Sequence, residues 1–215
     1  MEKVGSWTPE YFLVESLGSN MELNKIYDNV KKIKSTSLME EVMLLYGYVK
    51  ELPMNCTIVE LGTGLGRSAA AMAYACKGTS RKIYTVDNYV QGKKFTDHVQ
   101  SDWSADSAKK NIESLGLGEY VRFFNCKTTD PRLLLAIPTP IQFIFIDAGH
   151  SYEEVKADIA FWKPYIAKDG IVCGHDWSFD YPEGKMVIKA VAEMLLDPNH
   201  PFQVDYRVWK IKRCW

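Results

Sequence analysis

Apolar residues recur with helical spacing at Leu38, Met39, Val42, Met43, Leu45, Tyr46, Val49 and Leu52, and Pro53 supplies a stop. From Cys56 the pattern changes to short apolar runs separated by helix-like segments. TIVELG predicts a buried strand ending in glycines, RSAAAMAYAC a helix of small residues, and KIYTVD a second strand. Residues 88–102 carry Gly, Lys, Asp and His and predict a long surface loop. SADSAKKNIESLG predicts a helix with Ser104 as N-cap and Gly116 near its end. YVRFFN is a third strand, DPRLLLAI a short helix with Pro131 in its first turn, and IQFIFIDA the most apolar strand. SYEEVKADIAFWKPYI reads as an amphipathic helix, GIVCGHD as a fifth strand and KMVIKAVAEMLL as a helix. FQVDYRVWKIK reads as one or two terminal strands. Residues 1–37 are polar and mixed and read as short helices or an arm.

Strands alternating with helices imply right-handed βαβ units and a parallel sheet covered on both faces. The expected fold is therefore α/β, a doubly wound, Rossmann-like, mostly parallel sheet. It occupies residues 53–215, with residues 1–52 as an N-terminal helical extension. The length of 215 residues, with 47% hydrophobic and 25% charged, suits one such domain. Lys plus Arg is 26 and Asp plus Glu is 27, a net charge of −1. That balance leaves no electrostatic footprint for nucleic acid or for an anionic membrane. No apolar run is long enough to span a bilayer, and the start MEKVGSWTPEYF lacks the apolar core of a secretory signal. Cysteines stand at 56, 76, 126, 173 and 214, without a C-x-x-C pair. Neither a disulfide framework nor a zinc site is expected, and a cytoplasmic location fits. Each Cys is expected to be a small buried residue.

The sharpest local signal is VELGTGLGRSA, where a strand feeds Gly62, Gly64 and Gly66 into a helix. Glycine permits close backbone approach, and the helix start offers unpaired N–H groups. A dinucleotide fingerprint would place its third glycine at 67, which is Arg67. Glu60, two residues before Gly62, would repel a pyrophosphate but suits an ammonium group. Asp87 ends KIYTVD, where nucleotide-binding α/β folds place the carboxylate for ribose hydroxyls. A ribose and an ammonium without a pyrophosphate describe S-adenosylmethionine, with Ser68 at the helix start available to its carboxylate. A lone glycine turn between strand and helix is otherwise only a tight turn; Glu60 and Asp87 raise it above that.

Two further strands end in polar clusters, Asp147-Ala148-Gly149-His150 and His175-Asp176. Ligands bind at the carboxyl ends of strands in open α/β sheets. If these strands are neighbours, Asp147 and Asp176 converge, and a divalent cation would relieve their repulsion. Carboxylates suit Mg²⁺ or Mn²⁺, whereas imidazoles admit Zn²⁺ or Fe²⁺. His150 at a helix start and Asp176 before Trp177 also have ordinary capping roles open to them. His175 and Asp176 are adjacent, so only one of them faces the cleft unless the strand has already ended. His98 and Trp103 border a pocket or belong to ordinary surface.

Together VELGTGLGRSA, KIYTVD, FIFIDAGHSYEEVKADI and GIVCGHDW resemble the class I S-adenosylmethionine-dependent methyltransferases. Within them the chain is similar to the small branch related to sugar O-methyltransferases of antibiotic pathways and to cephalosporin hydroxylase-like proteins. The spacing Glu60, Gly62, Gly66, Ser68 is also similar to the catechol O-methyltransferase type. The resemblance covers residues 56–191. It implies a seven-stranded sheet with the last strand antiparallel, and cofactor binding by the loop Gly62, Thr63, Gly64 and Gly66. It implies Glu60 near the methionine amino group, Asp87 on the ribose, and Cys126 and Lys127 beside the adenine. Metal-dependent relatives use an Asp after the fourth strand and an acidic pair after the fifth; here Asp147 and Asp176 match and His175 replaces the other acid. Where some relatives place an Asp or Lys base, this chain offers His150.

The expected activity is methyl transfer from S-adenosylmethionine to a small-molecule hydroxyl. His150 and Asp147 are the candidate catalytic residues, and Asp147, Asp176 and His175 are candidate ligands for Mg²⁺ or another divalent metal. The acceptor pocket is expected from residues 1–37, 88–104 and 177–185. Helix 38–52 is compatible with pairing subunits in a homo-oligomer or with covering the sheet. A nicotinamide oxidoreductase is disfavoured by Arg67, and a metal hydrolase leaves the glycine loop unexplained. A non-catalytic nucleoside-binding protein would keep the same fold.

Overall fold

The computed structural model describes residues 21–90, 102–197 and 201–213. Seven strands form one sheet: β1 Thr57–Leu61, β2 Lys82–Asp87, β3 Val121–Asn125, β4 Ile141–Ile146, β5 Ile166–Gly174, β6 Phe202–Asp205 and β7 Val208–Lys212. Their order across the sheet is β3-β2-β1-β4-β5-β7-β6. The first five run parallel, and β7 is antiparallel to both β5 and β6. The segment FQVDYRVWKIK is thus two strands, reversing at Tyr206, whose φ of 55° is left-handed. After β1 the chain builds β2 and β3 on one side, then returns to build β4 and β5 on the other. The reversal lies between β1 and β4, and a crevice opens there at the carboxyl ends of the strands.

Alternation along the strands divides the core in two. Ile58, Ile83, Phe143 and Phe145 face α1 Met21–Lys31, α2 Met39–Lys50, α3 Arg67–Cys76 and α4 Ala105–Ser114. Val59, Leu61, Ile144 and Ile146 face α5 Leu133–Ala136, α6 Tyr152–Trp162 and α7 Pro182–Leu195. Strands buried on both faces need apolar residues at every position, which is why TIVEL and IQFIFI read as near-continuous runs. In α3 every residue from Ala69 to Ala73, with Ala75 and Cys76, is buried. Small side chains there let α2 lie close against it, and α2 buries Met39, Val42, Met43, Leu45 and Val49 in the same core. Helix α2 therefore covers the helix–sheet core. No helix among the described residues is long and apolar enough to cross a membrane.

The helix ends follow their capping chemistry. Ser104 Oγ accepts from Ser107 N before α4, and Ser151 with Glu154 forms a capping box before α6. Buried Arg81, 3% exposed, gathers the carbonyls where α2 and α3 end: Nε donates to Pro53 O and Nη1 to Ala75 O, each at 2.9 Å, and Nη2 to Leu52 O. A guanidinium has enough donors to serve several orphan carbonyls at once. Strand β5 begins at Ile166, earlier than GIVCGHD suggests, and stops at Gly174. It stops because Asp176 takes a left-handed φ of 60°. The α6 helix ends at Trp162 and continues as a short 3-10 turn containing Pro164, so it is shorter than its amphipathic pattern. Cys56, Cys76 and Cys173 are buried thiols and Cys126 is half-buried; Cys214 lies outside the described residues.

Candidate active site

The crevice is formed by two strand tips that touch. Gly62 N donates to Val86 O at 2.8 Å, and Asp147 N donates to Leu61 O at 2.8 Å. A Cβ on Gly62, whose φ is 94°, would lie 2.0 Å from Asp147 O. Only glycine admits that approach. Gly64 N then donates to Asp87 Oδ2 at 2.9 Å, and Tyr89 N to Asp87 Oδ1 at 2.7 Å, so the β2 carboxylate is held under the loop. Gly66 starts α3 with a left-handed φ of 87°. Arg67 turns away from the loop: Nε donates to Ile33 O at 2.5 Å and Nη1 to Ser37 O at 3.0 Å. It ties the segment before α2 to the start of α3.

Glu60 is fully buried beneath the loop and does not line the cavity. Ser68 Oγ donates to its Oε1 at 2.6 Å, and Thr85 Oγ1 donates to its Oε2. Thr85 and Thr63 hydroxyls are 2.6 Å apart. Burial pushes the Glu60 carboxyl up to about 8, against the pull of the two hydroxyl donors and with the charges of Asp147 and Asp87 adding to it. The side chain thus acts on the cavity through Ser68 and Thr63, which do line it. Ser68 faces the cavity with its hydroxyl hydrogen-bonded to Glu60 behind it.

The tips of β4 and β5 are paired neighbours, and His175 N donates to Ile146 O at 3.1 Å. Because the strand has ended and Asp176 is left-handed, His175 and Asp176 both turn toward Asp147. His175 Nδ1 lies 3.3 Å from Asp176 Oδ1 and 3.7 Å from Asp147 Oδ1. His150 Nε2 lies 3.0 Å from Asp176 Oδ2 and 4.0 Å from Asp147 Oδ1. Tyr181 Oη donates to Asp176 Oδ1 at 2.7 Å. One ligand atom each from Asp147, His175 and Asp176 lies within 4.8 Å of the others.

A third carboxylate completes the cluster from far away in the chain. Glu41 of α2 is 1% exposed. Its Oε2 meets His175 Nε2 at 2.9 Å, and Arg207 donates from Nε and Nη2 at 2.8 and 2.9 Å. Leu38 N donates to the same carboxylate at 2.8 Å, so Glu41 also caps its own helix. Burial alone would raise Glu41, but His175 and Arg207 outweigh it and hold the carboxyl at about 2. Burial would likewise lower His175; the carboxylates of Asp147, Asp176 and Glu41 instead lift it to about 10. Asp176 is held well below the carboxylate range, because the hydrogen bonds of His150 and His175 exceed the effect of burial. Burial moves Asp147 upward. His150 is raised, chiefly by Asp176, against its own burial.

Both ends of this machinery open into one cavity of about 730 Å³. Gly62, Thr63, Gly64, Ser68, Asp87 and Lys127 line it, as do Asp147, His150, His175 and Asp176. Glu60, Gly66 and Cys126 do not. Glu60 lies below the loop, Gly66 is the turn into α3, and Cys126 packs among the apolar residues on the α5–α7 face. Thr128 and Thr129, which follow Lys127 in the chain, line the cavity. The regions expected to build an acceptor pocket contribute Ser35, Thr36, Ser37, Trp103, Tyr181 and Glu183. His98 lies outside the described residues. Glu41 and Arg207 were missed in the sequence. The signal for Glu41 was a carboxylate one turn before Leu45 on the apolar stripe of α2.

The buried acid of Glu60 makes a pH prediction. Its folded value, about 8, lies above the ordinary 4.5. Its contribution to stability is therefore whole below pH 4.5 and is lost as pH rises toward 8. Glu60→Gln, neutral throughout, should gain on the wild type in urea unfolding between about pH 5 and about pH 9. Parallel stability curves for the two proteins would contradict this.

Comparison with known proteins places the chain. No curated protein matches the sequence significantly. Among solved structures, an O-methyltransferase from Bacillus cereus in complex with SAH has a TM-score of 0.64 at 16% identity, over 97% of this chain and 99% of that chain. TomG from Streptomyces achromogenes, an O-methyltransferase involved in tomaymycin synthesis and solved with SAM, has a TM-score of 0.61 at 17% identity, over 99% and 98%. The SAH-bound methyltransferase PaMTH1 of Podospora anserina has a TM-score of 0.63 at 14% identity, over 98% of both chains. These likenesses show a shared fold. The family model described as a methyltransferase domain matches residues 59–177, more than half of the chain, and the chain belongs to that methyltransferase family.

Proposed function

We propose that the protein transfers a methyl group from S-adenosylmethionine to a hydroxyl oxygen of a small molecule. One observation carries this reading: a single cavity joins the glycine loop and Asp87 to the carboxylate–histidine cluster at the tips of β4 and β5. The reading is supported by O-methyltransferases of the same fold that were solved with SAM or SAH.

S-adenosylmethionine supplies a methyl group already activated on its sulfonium, so the chain's task is alignment and proton removal. Asp87 uses one lone pair of each carboxylate oxygen on Gly64 N and Tyr89 N. The remaining lone pairs take the ribose hydroxyls. Ser68 accepts from the amino group, with Glu60 fixing the direction of its hydroxyl. At the other end Asp176 Oδ2 holds His150 Nε2, which leaves Nδ1 to receive the acceptor's proton. Asp147, whose backbone is pinned to Leu61, sets the edge against which the acceptor oxygen lies. Ser35, Thr36, Ser37 and Tyr181 line the cavity with hydroxyls and favour a polar acceptor.

The donor set at the β4–β5 tips fits a divalent cation. Two carboxylates and an imidazole converge, and Glu41 on His175 Nε2 turns Nδ1 toward them. Asp147, His175 and Asp176 would hold it, Mg²⁺ or Mn²⁺ by the carboxylates, with the imidazole admitting softer ions. When bound it would lower the pKa of a nearby hydroxyl.

Three measurements test this reading. Asp87→Ala should weaken S-adenosylhomocysteine binding by about tenfold or more in calorimetry, from the loss of a charge-assisted hydrogen bond; unaltered affinity removes the ribose role. His150→Ala should lower kcat by about 10²- to 10⁴-fold while leaving that affinity in place. Equal losses of kcat and affinity would make His150 a structural residue. Exhaustive EDTA treatment should lower turnover and added Mn²⁺ restore it; full activity without any cation ends the metal's part.

A further inference from the structure

The β4–β5 tip departs from an all-oxygen cation site at one position. Asp147 and Asp176 supply carboxylate oxygens, and the third donor is a nitrogen of His175. The backbone of His175 is pinned on both sides. Its N donates to Ile146 O at 3.1 Å, and its carbonyl accepts from Trp209 Nε1 at 3.2 Å. Gly174 before it leaves room for that indole, since a Cβ there would lie 2.4 Å from the Trp209 ring. The imidazole itself is held from the far side of the cluster, by Glu41 of α2.

Glu41 can only accept. Arg207 donates to both of its oxygens and Leu38 N to one of them, and these partners keep it an anion. The 2.9 Å contact between its Oε2 and His175 Nε2 therefore places a proton on Nε2. In a neutral ring the lone pair then stands on Nδ1. That atom lies 3.3 Å from Asp176 Oδ1 and 3.7 Å from Asp147 Oδ1. A carboxylate behind a ligating imidazole fixes its tautomer and makes it a better donor. A carboxylate at position 175 would instead set a like charge against Glu41. The buried Glu41–Arg207 pair is thus matched to a nitrogen ligand. Mg²⁺ takes oxygen ligands and sheds water reluctantly, whereas imidazole suits the transition ions. We propose that the site selects a divalent transition-metal ion over Mg²⁺, and that Glu41 is the positioning residue that sets this choice through His175. The proposal rests on the metal's part in the function above and adds the class of ion and the residue that selects it.

The test titrates the metal-stripped full chain with Mn²⁺, read by electron paramagnetic resonance, and then competes the bound ion with Mg²⁺. Bound Mn²⁺ should show magnetic coupling to an imidazole nitrogen. Mg²⁺ should displace it only at about a hundredfold excess or more. Glu41→Gln keeps the side-chain volume but offers an NH₂ to Nε2, which allows the ring proton to stay on Nδ1, facing the carboxylates. Mn²⁺ affinity should then fall about 10- to 100-fold, the usual cost of losing such a partner, with weaker nitrogen coupling and a smaller loss for Mg²⁺. Equal losses for the two ions would make Glu41 a general support of the site and overturn its selecting role. Wild-type Mn²⁺ bound without nitrogen coupling, or displaced by an equal amount of Mg²⁺, overturns the proposal without any variant and leaves the methyl-transfer reading in place. A wild type that binds neither ion but still binds S-adenosylhomocysteine removes the metal from the function, and the proposal with it.

Discussion

The site depends on one backbone contact, the apposition of Gly62 and Asp147 across the reversal in strand order. The carbonyl of Asp147 stands where any side chain on residue 62 would begin. That contact closes the ends of β1 and β4 against each other. On one side it leaves the loop free to fold over Asp87. On the other it fixes the backbone from which the Asp147 carboxyl reaches the two histidines. The reversal supplies the crevice, and the glycine brings its two polar edges into one cavity.

Two buried glutamates show how partners decide whether burial prevails. Glu60 and Glu41 are 0% and 1% exposed. Glu60 meets only hydroxyls and is lifted to about 8; Glu41 meets a guanidinium and an imidazole and is held at about 2. The first anchors the loop through Ser68 and Thr85. The second is a fixed anion that stiffens the cluster, because removing either partner of a buried ion pair strands the other. Through Glu41 the helix α2 becomes part of the carboxylate–histidine cluster. Helix α2 is not a mere cover, since it holds the imidazole that faces Asp147 and Asp176.

The parts legible in the sequence are those carried by local pattern. Strands buried on both faces read as apolar runs, and the carboxyl ends of those runs expose Asp87, Asp147 and Asp176. The glycine spacing marks the loop, and Ser104 and Ser151 mark helix starts. What was not legible depends on three-dimensional detail. That Glu60 lies under the loop follows from Ser68 and Thr85 closing over it, a contact that strand periodicity does not encode. Cys126 follows β3 directly but packs on the core side, and the cavity passes to Thr128. The joint approach of His175 and Asp176 requires the left-handed Asp176, which a two-residue alternation argues against. Glu41 and Arg207 lie 134 residues before His175 and 166 residues after Glu41. No spacing rule links them.

The central claim is that an adenosyl-sulfonium donor lies across the β1–β4 crevice with its reacting end at the carboxylate–histidine cluster. Crystals grown with S-adenosylhomocysteine test it most directly. The account predicts density with both ribose hydroxyls on Asp87 and the sulfur turned toward Asp147 and His150. A vacant crevice, or a ligand lying with its base at the Asp147 edge, would contradict it.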